Sequence, residues 1–189
     1  MQENVLSYNK KQLKERPPIR QVSSQFLNEN LQIQLEAFLQ YIEENKMPLS
    51  LARCNTYQSN FKSKTVFRIE IAGGQACMRD VYAVRVYTAG DPGFYSADNT
   101  VAQNEINAYL ALLGNEMADY FIKHLPICHG CGKCKPGVKL EILGQSIVGV
   151  CACDKYAMRV YNPSETDYMM IKEFITARKQ HILQDNKTC

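Results

Sequence analysis

The chain has 189 residues, 46% hydrophobic and 22% charged, enough apolar material for one good-sized domain or two small ones sharing a core. No apolar run approaches the roughly 20 residues that span a bilayer, and the opening Met-Gln-Glu-Asn-Val-Leu-Ser lacks a secretory apolar stretch, which argues against membrane and secreted classes. Eight cysteines in such a chain point to metal or thiol chemistry in a reducing compartment, the cytoplasm, and not to a disulfide scaffold.

Residues 1–21 carry the whole net charge of +3, with Lys10, Lys11, Lys14, Arg16 and Arg20 set against Glu3 and Glu15. With Arg16-Pro17-Pro18 inside it, this stretch reads as a flexible, solvated basic tail; the rival reading is an arm that tracks a phosphate backbone. An apolar stripe at Leu31, Leu35, Phe38, Leu39 and Ile42 predicts the first amphipathic helix. Strand-like runs follow at 65–71 and 81–87, with Gly73-Gly74 as a hairpin turn between them. Residues 88–99 have loop chemistry and mark a boundary. A second stripe, Ile106, Tyr109, Leu110, Leu113, Met117, Tyr120 and Phe121, predicts one helix, begun by the cap Thr100-x-x-Gln103. Further strands are predicted at 138–143, 146–153 and 156–161. The closing helix carries Ile171, Phe174, Ile175 and Ile182 behind the cap Ser164-x-x-Asp167.

The chain repeats itself. Asp80-Val-Tyr-Ala-Val-Arg-Val-Tyr87 recurs as Asp154-Lys-Tyr-Ala-Met-Arg-Val-Tyr161, an offset of 74 residues, and the same offset lays Cys54 on Cys128 and Cys77 on Cys151. Ile69-Glu-Ile and Leu140-Glu-Ile correspond with a short gap. An internal duplication of a helix, Cys-bearing turn, hairpin and strand unit is expected, with halves at 22–99 and 100–189. The element order gives an α+β fold, its sheet or sheets packed on one side by three helices.

The second half reads Cys128-His-Gly-Cys131-Gly-Lys-Cys134-Lys-Pro-Gly137, then a hairpin, then Cys151-Ala-Cys153: five cysteines within 26 residues. Cys-x-x-Cys-Gly puts two thiolates on one tight turn, and the hairpin returns a second set to the first. Over residues 126–154 this resembles a zinc ribbon, with a Cys-x-Cys second arm and one cysteine to spare. The resemblance implies one structural Zn2+ bound by four thiolates and no activity. Thiolates on one zinc lie about 3.8 Å apart, whereas alternate residues of a regular strand are about 6.6 Å apart. Cys151 and Cys153 therefore share a metal only if the chain bends, and otherwise Cys134 is the fourth ligand beside Cys128, Cys131 and Cys151. An iron–sulfur cluster is the alternative cofactor, but the position expected for its fourth cysteine is Val138 and no Cys-Pro follows. A redox dithiol would want a βαβ setting. Cys54 and Cys77 read as small buried side chains, Cys189 as a free terminal thiol, and His129 as exposed within the knuckle.

In the repeated strand, Tyr82, Val84 and Val86, like Tyr156, Met158 and Val160, take the core face by alternation. Arg85 with Tyr87, and Arg159 with Tyr161, take the other face. These pairs suit a cleft for an anionic or aromatic ligand; the simpler alternative is packing against surface carboxylates. His124 and His181 stand alone, and no phosphate loop, dinucleotide fingerprint or zinc-protease motif occurs, so nothing in the sequence marks an enzyme. The expected function is a cytoplasmic zinc-stabilised binding module for a protein or a small anionic ligand. Its alternatives are a nucleic-acid binder using the basic tail with Lys133, Lys135 and Lys139, and an iron–sulfur or thiol redox protein.

Overall fold

The computed structural model describes residues 5–72, 78–88, 99–128, 137–152 and 157–185. The chain forms α1 (Val5–Glu15), α2 (Ile19–Phe26), α3 (Glu29–Glu44), β1 (Leu49–Arg53), β2 (Thr56–Phe61), β3 (Lys64–Ile71) and β4 (Tyr82–Tyr87). It continues with α4 (Asn99–Ala111), α5 (Asn115–Lys123), β5 (Val138–Ile142), β6 (Gln145–Val150), β7 (Ala157–Tyr161) and α6 (Glu165–Asp185). The fold is α+β: helices accompany a five-stranded sheet of order β1-β2-β3-β4-β7 and a two-stranded sheet, β5-β6. The echoed sequences fall on β4 and β7. The first half runs α3, β1, β2, β3, β4 and the second α5, β5, β6, β7, and the pairing differs as well, since β2-β3 joins the larger sheet while β5-β6 stands as its own.

Two compact units divide the chain. The first comprises Met1–Ser63, Phe67–Arg85 and Val160–Tyr168; the second comprises Lys64–Val66, Val86–Arg159 and Met169–Cys189. They do not follow the boundary between 22–99 and 100–189, because the end of β7 and the start of α6 return the chain to the first unit.

In the first unit, residues 5–15 and 19–26 are helical, where composition alone reads a solvated tail up to residue 21. The physical reason is a polar dock invisible to hydrophobic patterning. The buried Gln12 accepts from the Asn55 backbone N–H at 2.6 Å and donates its Nε2 to Asn55 Oδ1 at 2.6 Å. Asn55, itself fully buried, occupies the left-handed region (φ +51) that asparagine tolerates, and so turns β1 into β2. Helix α3 opens on Asn28, whose side chain accepts from Leu31 N–H at 3.1 Å. Phe38 on its inner face stacks on Tyr168 with ring centres 4.9 Å apart, and Tyr168 shares a 2.5 Å hydroxyl contact with Tyr82. All six residues of β4 are buried, so helices or chain cover both its faces and not one alone.

In the second unit the predicted helix over 106–121 is two helices. Gly114 adopts φ +84, a conformation a side chain resists, and α5 starts immediately after it. Ile106, Tyr109 and Leu110 of α4, Phe121 of α5, and Ile171, Phe174 and Ile175 of α6 form the core. Tyr109 Oη donates to the Phe174 carbonyl at 2.9 Å, which satisfies the one polar atom of a buried ring. The start of α6 belongs to the first unit, and its cap at Ser164 forms as a reciprocal pair with Asp167, at 2.9 and 3.2 Å. Gln103 has another task. Its Oε1 accepts from Glu141 N–H at 3.0 Å, and Asn107 one turn later bonds Glu141 C=O and Leu143 N–H, each at 3.0 Å, so two amide side chains cover the outer edge of β5.

Candidate functional site

The cysteine-bearing end of the second unit is built by the β5-β6 hairpin and an isolated bridge from Ile127. Ile127 bridges antiparallel to Val150, Cys128 N–H donates to Gly149 C=O at 2.8 Å, and Cys151 N–H donates to Pro126 C=O at 2.8 Å. On the other side of β6, Val138 of β5 pairs with the same Val150, which is fully buried. The β5-β6 hairpin turns through Leu143 (φ +46) and Gly144 (φ +83), the signs a tight two-residue hairpin turn requires. Its register slips between Val138 and Leu140, which face Val150 and Ile147, so β6 carries one extra residue there. Gly149 at φ +81 supplies the left-handed residue of this bulge.

Gly137 lies so close to the bulge that a Cβ added to it would meet the Gly149 backbone at 2.7–2.9 Å. Cys128, bonded to Gly149, and Gly137, packed on Gly149, are therefore held to one point although eight residues separate them in the chain. Cys128 and Cys151 flank the Ile127–Val150 pair and by alternation share the opposite face, as diagonal cross-strand neighbours. Such neighbours lie about 7–8 Å apart at Cα, within which two thiol side chains can converge to the roughly 3.8 Å of a shared tetrahedral metal. Both are partly exposed. Cys131, Cys134 and Cys153 lie outside the described residues, as do Cys77, Cys189, His129, Lys133, Lys135 and the Gly73-Gly74 turn. Among the described residues no group of three or more potential ligands is assembled. Cys54 is buried in the β1-β2 turn, where desolvation pushes its thiol pKa up, as a small core side chain requires.

The Arg-Tyr pairs are placed as follows. Arg85, 5% exposed, meets the buried carboxylate of Glu70 at 3.0 Å, and Glu70 also takes Arg53 at 2.8 Å. Tyr87 is buried beside it on β4. The face of β4 predicted to look outward is thus core, because the buried Glu70 on β3 supplies the counter-charge that lets an arginine enter it. Arg159 is partly exposed on β7, with its N–H donating to His124 C=O at 2.8 Å, and Tyr161 is 56% exposed.

Sequence reasoning missed a cavity of about 700 Å3 in the first unit. Pro17, Ile19, Leu39, Ile42, Met47 and Leu51 give it an apolar lining. Two helix endings shape its mouth. Helix α1 stops at Arg16 (φ +49), because Pro17 and Pro18 cannot continue it. Helix α3 ends with Lys46 at φ +53, Lys46 N–H on Glu43 C=O and Met47 N–H on Ile42 C=O, each at 3.0 Å, the pattern of a left-handed helix stop. Tyr57 Oη donates to Pro17 C=O at 2.7 Å and ties the proline pair to β2. The signal for all this was legible as two basic residues at proline-marked helix ends, Arg16-Pro17-Pro18 and Lys46-Met47-Pro48. Arg20, also lining the cavity, is committed to Glu36 and Glu43 at 2.8 Å each, and its hydrogen bonds hold the Glu36 carboxyl below the usual range. Among the described residues no helix is long and apolar enough to cross a membrane. Comparison with known proteins finds no family model, no curated protein and no solved structure that matches the chain.

Proposed function

We propose that the chain is a binding module whose second unit is reinforced by one structural zinc, held by Cys128, Cys131, Cys151 and either Cys134 or Cys153. The observation that carries this reading is that Cys128 and Gly137, the residues flanking the stretch that contains Cys131 and Cys134, both meet Gly149, two positions before Cys151. Four sulfur ligands leave no open coordination position, so the metal's role is to hold the fold, and binding belongs elsewhere on the molecule. The cavity of the first unit is the best-formed candidate for that elsewhere.

Metal analysis of protein purified without oxygen tests the first half. About one zinc per chain is expected, lost in Cys128→Ser and in Cys151→Ser. Because metal affinity is coupled to folding, chelation should lower the melting temperature and raise hydrogen exchange in β5 and β6, while β2 and β3 keep their protection. Stoichiometric iron with acid-labile sulfide would overturn the zinc assignment in favour of a cluster, and a chain that never carries metal would overturn it altogether.

A further inference from the structure

The cavity of the first unit has the marks of a small-molecule site. Its volume of about 700 Å3 lies within the range of drug-sized ligand pockets, roughly 300–1,000 Å3. Its wall is assembled from core-type side chains: Ile42, Leu39 and Met47 are each 7% exposed or less and belong to the packed base of α3. Such a wall offers dispersion and desolvation to an apolar body and offers no partner to a polar one.

The mouth carries the selectivity. Three cations, Arg16, Arg20 and Lys46, and one carboxylate, Glu43, line the cavity. Arg20 and Glu43 are already bound to each other at 2.8 Å. Arg16 and Lys46 have no carboxylate partner among the described residues. Each stands just past a helix C-terminus, whose dipole amounts to roughly half a negative charge and leaves much of the cation's charge uncompensated. Their positions are fixed by backbone, since both occupy left-handed helix stops and not frayed ends. An apolar pocket with two cations at its mouth is complementary to a molecule with an apolar body and a single anionic head.

We infer that this cavity binds a small amphipathic anion, with its hydrocarbon portion against Ile42, Met47 and Leu51 and its carboxylate-type head between Arg16 and Lys46. This deepens the binding half of the function proposed above and uses none of its metal half, because every lining residue belongs to the first unit.

The test uses the full chain and two probes of equal apolar body and opposite charge, decanoate and decylamine, titrated below their micelle concentrations by calorimetry. Saturable one-to-one binding of decanoate is expected, at least tenfold tighter than decylamine. Arg16→Gln and Lys46→Gln, both exposed positions, should each weaken decanoate about threefold and together remove most of the preference over decylamine. Leu51→Trp should fill the cavity and abolish binding of both probes, with circular dichroism checking that its fold is kept. If Leu51→Trp fails to fold, the two cation variants decide alone. Equal affinity for the two probes would overturn the inference, as would absence of decanoate binding or binding indifferent to Arg16 and Lys46. Zinc content measured on the same samples separates the two proposals: decanoate bound by zinc-free protein overturns the metal reading only, and zinc-loaded protein that ignores decanoate overturns the cavity reading only.

Discussion

Gly137→Ala isolates the contact on which the cysteine-bearing end depends. Two costs arise there. Gly137 adopts φ +94, and placing a side chain in that region costs about 1–2 kcal/mol. The new Cβ would also sit 2.7–2.9 Å from the carbonyl carbon, oxygen and Cα of Gly149, all backbone atoms that cannot rotate away. Forcing one methyl into such a packed contact adds about 1–3 kcal/mol. The sum, about 2–5 kcal/mol, corresponds to a fall in melting temperature of about 5–15 °C in a chain of this size. Gly144→Ala is the matched control, since Gly144 has φ +83 and nothing within 4 Å of its added Cβ. It should cost only the conformational part, about 1–2 kcal/mol. Thermal unfolding of the two variants side by side, with metal content measured on each, reads the difference. Equal losses would refute the close approach of Gly137 to Gly149 and with it the convergence of Cys128 and Gly137 on that residue.

Asn55→Ala removes the bond from Gln12 Nε2 to Asn55 Oδ1, keeps the backbone N–H bond to Gln12, and puts alanine at a left-handed position, so a loss of about 1–3 kcal/mol is expected in denaturant unfolding. Glu70→Gln withdraws the carboxylate facing buried Arg85 and should cost about 3–5 kcal/mol by the same measurement, more than Arg53→Ala, whose side chain is 56% exposed. Burial raises the hydroxyl pKa values of Tyr57, Tyr82, Tyr109 and Tyr168, that of Tyr82 to about 12. Unfolded tyrosine ionises near pH 10 (about 10), so folded stability is complete below that value and drains as pH rises through the folded pKa, by about 1.4 kcal/mol per pH unit for each lagging group. Ultraviolet titration should show these tyrosines ionising only as the fold is lost; a single transition near the ordinary value with the fold intact would contradict their burial.

What the sequence disclosed and what it hid follow from one distinction. Elements held by apolar burial were legible: the stripe Leu35, Phe38, Leu39, Ile42 is the inner face of α3, and the runs at 65–71 and 81–87 are β3 and β4. Elements held by polar contacts were not. Helix α1 is docked through Gln12, and β2, Thr56-Tyr-Gln-Ser-Asn-Phe61, buries Thr56 and Ser59 where alternation wants hydrocarbon. Gly114 broke a helix that its stripe joined, because hydropathy carries no record of φ. Arg85 reads as a surface residue until its counter-ion is seen, and Glu70 stands fifteen positions away on another strand. At the candidate metal end the spacing of cysteines was plain, while the bulge at Gly149 that draws Cys128 and Gly137 to one point has no sequence signature beyond two glycines.

The hairpin β5-β6 shows why reinforcement at that point matters. A lone two-stranded sheet is marginal in water, so β5-β6 requires supports from outside itself. Its turn end has them: Gln103 and Asn107 bond the outer edge of β5 at Glu141 and Leu143. Its strands have them too, with Leu140, Ile142 and Val150 fully buried. The opposite end, where Gly137 enters and Cys151 leaves, is joined to the chain by the short Ile127 bridge, and Ile127 is itself 47% exposed. Backbone bonds at an exposed strand end open at little cost. A metal held there by Cys128 and Cys151 with further cysteines would cross-link this end, where Val150 is buried but Ile127 and both thiols reach solvent. Only eight residues separate Cys128 from Gly137, so little loop entropy would oppose it. Zinc at this place would act as a local staple on a unit whose aromatic core, Tyr109, Phe121 and Phe174, is already complete without it.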